Sequence, residues 1–218
     1  MGKRARIHGT TMHLLIADKI YTEKSGLIRS YGEFLLGSIA PDAVHMREDY
    51  TREIKEISHY RFNNKSPVSY FDTFFDEYAG SENRDFVLGY LVHLLSDMIW
   101  YHSVRIPFKK RFLQIPSHDM SMNEAYYADC KQIEEVMENV SRIINGLKES
   151  KAYTLEGLTD AESVSAWKTK LILDYHNKRD VPPHTKYISE DHVRDYITNC
   201  AKECSKYLDV HHMFRHGN

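Results

Sequence analysis

Apolar residues recur along this chain at intervals of three and four, the period of a helix, and no stretch alternates as a strand would. Met12, Leu14, Leu15, Ile16, Ala17 and Ile20 predict a first helix capped by Thr10 or Thr11. A second is expected over residues 27–36, ended by Gly37, after which residues 37–42 read as a tight apolar turn delivering an acid. Residues 50–62 are charged, with Ile54 and Ile57 on one stripe, so His59 falls near the end of a surface helix. Tyr70, Phe71, Phe74, Phe75 and Tyr78 mark a core-facing helix opened by Pro67 and closed near Gly80.

The most apolar run is 86–102, FVLGYLVHLLSDMIWYH, apolar on nearly every side and therefore expected at the centre of the fold. Pro107 should break it within two turns after His102. Beyond lie a long helix over 120–148, a linker over 150–159, and helices over 161–175 and 190–208 separated by a Pro182-Pro183 turn. The pattern predicts an all-α fold: residues 1–218 as a single domain, six to nine helices around the buried 86–102 helix, with 1–7 and 211–218 loose.

Charge and cysteine content narrow the partners. A net charge of -2 and a pI near 6.7 supply no broad basic field for nucleic acid or anionic membranes, leaving nucleic acid as a substrate only. No apolar run reaches transmembrane length and the N-terminal residues lack a signal-peptide pattern, so no stable membrane insertion is expected. Cys130, Cys200 and Cys204 fit a reducing compartment, and the expected location is cytoplasmic.

Within the central run His93 and Asp97 lie four residues apart, one turn above each other on a helix, a spacing that aims both at one point. Composition alone, with 13 His and 31 acids, would give roughly two such pairs by chance. Three occur, His45/Asp49, His93/Asp97 and His176/Asp180, and only the second sits in an apolar run. A buried carboxylate there needs a cation or hydrogen bonds, and a core histidine bonded to its helix neighbour is the plainer alternative. His102 lies roughly 140° around a regular helix from Asp97 and so cannot share its focus.

The ordered series MHLLIA at 12–17, GSIAPDAV at 37–44, Ser58-His59 and GYLVHLLSDMIW at 89–100 resembles the zinc-dependent phospholipase C family, which is related to the single-strand-specific zinc nucleases. The likeness covers roughly the first half of the chain. It implies an all-helical domain with up to three zinc ions in one cleft. Asp42, His59, His93 and Asp97 match the ligands of the first ion, with Asp97 bridging to a second held by His13. The family completes that second site with its amino-terminal residue; here residues precede His13, and His8 or a water would take the place. His102 would begin a third site, but no His-x-x-x-Glu follows it, leaving Asp129 or Glu124 to complete it. Two ions are expected and the third is open.

The resemblance implies a metal-dependent phosphoester hydrolase in which metal-bound hydroxide attacks a phosphodiester, phospholipid ranking ahead of nucleotide. Asp42 and Asp97 would carry the catalytic roles, Asp42 as proton acceptor and Asp97 between the ions. Mixed His and carboxylate ligation suits zinc, with manganese or iron as rivals. Two other readings stay open: a His-Asp-type metal phosphohydrolase built on His93, His118-Asp119 and Asp174, and a non-catalytic, metal-stabilised helical protein that binds partners through tyrosine-rich surfaces.

Overall fold

The computed structural model describes residues 9–60, 67–78, 80, 83–134, 140–176 and 185–213. Its centre is α5, Arg84–Trp100, buried without interruption from Asp85 to Ser96, as a helix apolar on all faces must be. Around it pack α1 (Thr10–Glu23), α2 (Tyr31–Gly37), α4 (Pro67–Tyr78) and α10 (Glu190–Met213). A 3-10 helix, Ala40–Met46, and the short α3, Arg52–Ser58, pack against each other. Among the described residues all regular structure is helical apart from an isolated bridge between Leu155 and Thr159, so the all-α expectation holds. No described helix is long and apolar enough to cross a membrane.

One crossing positions the site. α2 and α5 meet at Gly37 and Gly89: a Cβ at 37 would lie 2.0 Å from the carbonyl oxygen of Phe86, and one at 89 would lie 2.1 Å from that of Phe34. Only glycine lets the two backbones approach so closely. This contact brings the end of α2, and with it Ser38, directly onto the α5 turn that carries His93.

Several expectations need correction. Residues 27–30 are not helical, because the amides of Arg29 and Ser30 donate to the Asp85 carboxylate (2.9 and 2.6 Å) and Arg84 donates to the Leu27 carbonyl (2.9 Å), tying this segment to the start of α5. The turn expected over 37–42 continues as the 3-10 helix, with Pro41 in its first turn. Pro107 does not break the chain after α5. A five-residue π-helical stretch, Tyr101–Arg105, leads without interruption into α6, Ile106–Leu113, and the Ser103 carbonyl, which Pro107 has no N–H to meet, accepts from His192 Nε2 at 3.0 Å.

The helix expected over 120–148 is described as α7 (Met122–Glu134) and α8 (Val140–Glu149), with 135–139 outside the described residues. α9 spans Ala161–His176. The Pro182-Pro183 turn, His8, and the ends 1–7 and 214–218 also lie outside the described residues. Residues 211–213, expected to be loose, are the last of α10.

Candidate metal centre

Four elements bring five side chains to one place. His13 comes from the first turn of α1, Asp42 from the 3-10 helix, His59 from the end of α3, and His93 and Asp97 from successive turns of α5. α3 ends at this point because Tyr60 takes φ 56, a left-handed conformation uncommon for an aromatic residue, with its amide on the Ile57 carbonyl at 2.7 Å. The Nε2 atoms of His59 and His93 lie 3.4 Å apart, and His59 Nε2 is 3.6 Å from Asp42 Oδ1. The two oxygens of Asp97 face different histidines, Oδ1 toward His13 Nε2 at 3.6 Å and Oδ2 toward His59 Nε2 at 3.8 Å. The rings of His13 and His93 stack with centroids 3.9 Å apart.

Hydrogen bonds behind the rings fix which nitrogen carries the proton. His93 Nδ1 is 2.9 Å from the Ser38 carbonyl and His59 Nδ1 is 2.8 Å from the Lys55 carbonyl. A carbonyl only accepts, so both Nδ1 atoms donate. His13 Nδ1 meets Ser96 Oγ at 2.7 Å, and that hydroxyl spends its own proton on the His93 carbonyl, so His13 Nδ1 donates too. All three imidazoles therefore turn Nε2 inward. In the tautomer with Nε2 bare, two lone pairs at 3.4 Å cannot hydrogen-bond each other, and a cation between them resolves the conflict. Ligand atoms bound tetrahedrally at the usual zinc–nitrogen distance stand about 3.4 Å apart. Asp42, His59 and His93 form one group, and His13, His93 and Asp97 another, each with ligand atoms within 4.8 Å of one another. The residues fit zinc, including the oxygen acceptors that orient metal-binding histidines.

The electrostatics agree. Burial, with His13 beside it, lowers His93 to about 3, and burial also lowers His13, so both rings are neutral near pH 7. Burial alone would raise Asp42, but His59, His93 and Lys55 outweigh it and hold the carboxyl well below the ordinary range. Asp97 is likewise lowered: His93, His59 and His13 overcome the effect of burial.

Beside the cluster opens a cavity of about 160 Å³, lined by His13, Asp42, His59 and Asp97, by Lys55, and by an aromatic wall of Trp100, Tyr126, Tyr127 and Tyr196. Tyr196 donates to the Ser96 carbonyl at 3.0 Å and Tyr90 to the Ser58 carbonyl, so two tyrosines anchor the residues preceding Asp97 and His59.

The model of the zinc-dependent phospholipase C family matches residues 12–213, well beyond the first half that carried the sequence likeness. The chain belongs to the zinc-dependent phospholipase C family. Neither the comparison with curated proteins nor that with solved structures found a match.

For this zinc-dependent phospholipase C family member, two expected ligands lie elsewhere. His102 is exposed on the π-helical stretch, against the ring of Tyr101. Asp129 is buried, but Oδ1 accepts the Lys186 amide at 2.9 Å and Oδ2 accepts those of Tyr187 and Ile188 at 2.7 and 2.9 Å. It closes a loop rather than facing a cation. Glu124 caps α7, its Oε2 on the Ser121 amide at 2.9 Å. The His-Asp phosphohydrolase set does not assemble either: His118 stacks on Phe112 at 3.6 Å, Asp119 is exposed, and Asp174 pairs with Lys170.

Sequence reasoning missed Lys55, Ser38 and the aromatic wall. Lys55 carried a readable signal, one helical turn before His59. The Ser38 carbonyl did not, because its role depends on how two helices cross.

Proposed function

We propose that this protein hydrolyses phosphodiesters with zinc held by Asp42, His59, His93, Asp97 and His13, its substrate being a phospholipid. The observation that carries the reading is the inward convergence of three Nε2 lone pairs and two ionised carboxylates at the wall of an open cavity. Asp97, with one oxygen toward His59 and the other toward His13, suits the bridging place between two ions. Zinc bound here would lower the pKa of a water ligand and polarise the phosphoryl group.

The chain's own residues supply the rest. The Ser38, Lys55 and Ser96 oxygens keep the imidazoles in the tautomer that presents Nε2. Asp42, ionised at neutral pH, has two oxygens, one to hold an ion and one placed to accept a proton from the attacking water. Trp100 and the tyrosines form the surface against which the organic part of the substrate rests. No finding supports nucleic acid as a substrate, and family membership favours lipid. The open cavity weighs against a purely structural metal, whose site would be closed by its ligands. Three buried cysteines, none in a disulfide, are consistent with the cytoplasmic location we propose.

The test is direct. Protein purified from a zinc-replete culture should contain zinc and hydrolyse bis(p-nitrophenyl) phosphate and short-chain phosphatidylcholine. Asp97→Ala should lose most of the bound zinc by elemental analysis and at least about 10³-fold in kcat/KM, the scale of a lost electrostatic catalytic element. Wild-type protein free of zinc would end the proposal.

A further inference from the structure

Lys55 stands at the edge of the cluster, with a third of its side chain exposed and its ammonium among the groups lining the cavity. Nζ lies 3.8 Å from Asp42 Oδ1, the same oxygen that faces His59 Nε2, and 3.5 Å from His45 Nε2. Lys55 and His59 share one face of α3, so the ammonium projects along the side of the helix that carries the candidate ligand. The bond that orients His59 uses the Lys55 carbonyl, not its side chain. The side chain is thus not needed to build the cluster.

At 3.8 Å and partly solvated, the pair with Asp42 is a weak one. Once Asp42 commits its charge to an ion, the ammonium is left beside the cavity as a cation suited to an incoming anion. We propose that Lys55 is a substrate-binding residue that takes a phosphoryl oxygen, selecting anionic phosphodiesters at the mouth of the cluster. The inference rests on the hydrolase reading above and deepens it. A lysine fits the task as a compact charge with three rotatable donors, able to follow a phosphoryl group whose orientation is set elsewhere.

The same oxyanion chemistry is offered by a lipid phosphodiester and by free phosphate, and the experiment treats them separately. Zinc-loaded wild type, Lys55→Met and Lys55→Arg would be compared in zinc content, in affinity for inorganic phosphate by calorimetry, and in KM and kcat on short-chain phosphatidylcholine. Lys55→Met should keep its zinc, bind phosphate at least about tenfold more weakly, as expected for one partly screened charge, and show a raised KM for the lipid. Lys55→Arg should recover most of both. Unchanged phosphate affinity and KM in an active, zinc-loaded Lys55→Met would overturn this inference while leaving the hydrolase reading intact. Loss of zinc from Lys55→Met would overturn it by showing that the side chain builds the metal site. A change in phosphate affinity with an unaltered lipid KM would overturn it too, since the lysine would then serve a free anion and not the substrate. Wild type that holds zinc but neither binds phosphate nor cleaves either diester would sink both readings together.

Discussion

Asp42 and Asp129 are buried carboxylates of one molecule with different surroundings. Asp129 is met by three backbone amides, all donors, and its charge is spread over hydrogen bonds that hold residues 186–188 in place. Asp42, with Asp97 near it, is met by the inward nitrogen of His59 and by two long contacts, the Thr10 hydroxyl donating at 3.4 Å and the Lys55 ammonium at 3.8 Å. Burial alone therefore says little about what an acid does; the direction of its neighbours' protons says more. A carboxylate whose oxygens are taken by short amide donors is finished, whereas one with only long contacts and a bare imidazole nitrogen before it has room for a cation.

The contrast can be broken most forcefully by exchanging its two sides. Asp129→Ala strands three amide donors and should cost about 3 kcal/mol or more, at roughly 1–3 kcal/mol for each buried unsatisfied group. Chemical denaturation would read that loss, while zinc per folded chain should stay as in wild type; zinc lost from the folded variant would return Asp129 to the ligand set.

Acid should act on the other side. In chelator-treated protein His93 titrates near 3 and His13 below its ordinary 6.5, so the unfolded chain takes up protons first as the pH falls. Stability from these rings is present above about pH 6.5, the unfolded value, and is lost progressively toward pH 3. Melting temperature followed from pH 7.5 to 4 should decline in this sense; a flat or rising profile would contradict neutral, buried imidazoles. The smallest effect is reserved for His102→Ala, which should leave zinc stoichiometry and kcat/KM unchanged within error, since this ring is exposed and lies outside both candidate groups. A lost ion in that variant would place a third site on the π-helical stretch.

The helices were legible because their signals are local, and so was the His93/Asp97 pair, four apart in an apolar run. Asp42, His59 and His13 each have a plain local reading as cap, solvated ring or helix start, and only the resemblance to the family joins them to that pair. What failed depended on distance or on irregular backbone. Asp129 finds its donors 57 to 59 residues further along the chain, which no spacing rule reaches. His102 is expected at a third ion on the resemblance alone; helix geometry keeps it off the His93/Asp97 focus, and it lies exposed on the π-helical stretch. Pro107 reads as a stop because the π-helical widening that accommodates it, and the His192 ring that meets the Ser103 carbonyl, leave no mark in composition.

The aim of His93 is set by peptide planes. Because Gly37 and Gly89 let two main chains touch, the oxygen that steers this ring belongs to a neighbouring helix and cannot swing away as a side chain would. The proposed metal centre would thereby be partly encoded at positions with no donor atom: a single methyl group at residue 89 would have to prise the helices apart and would turn an imidazole it never meets.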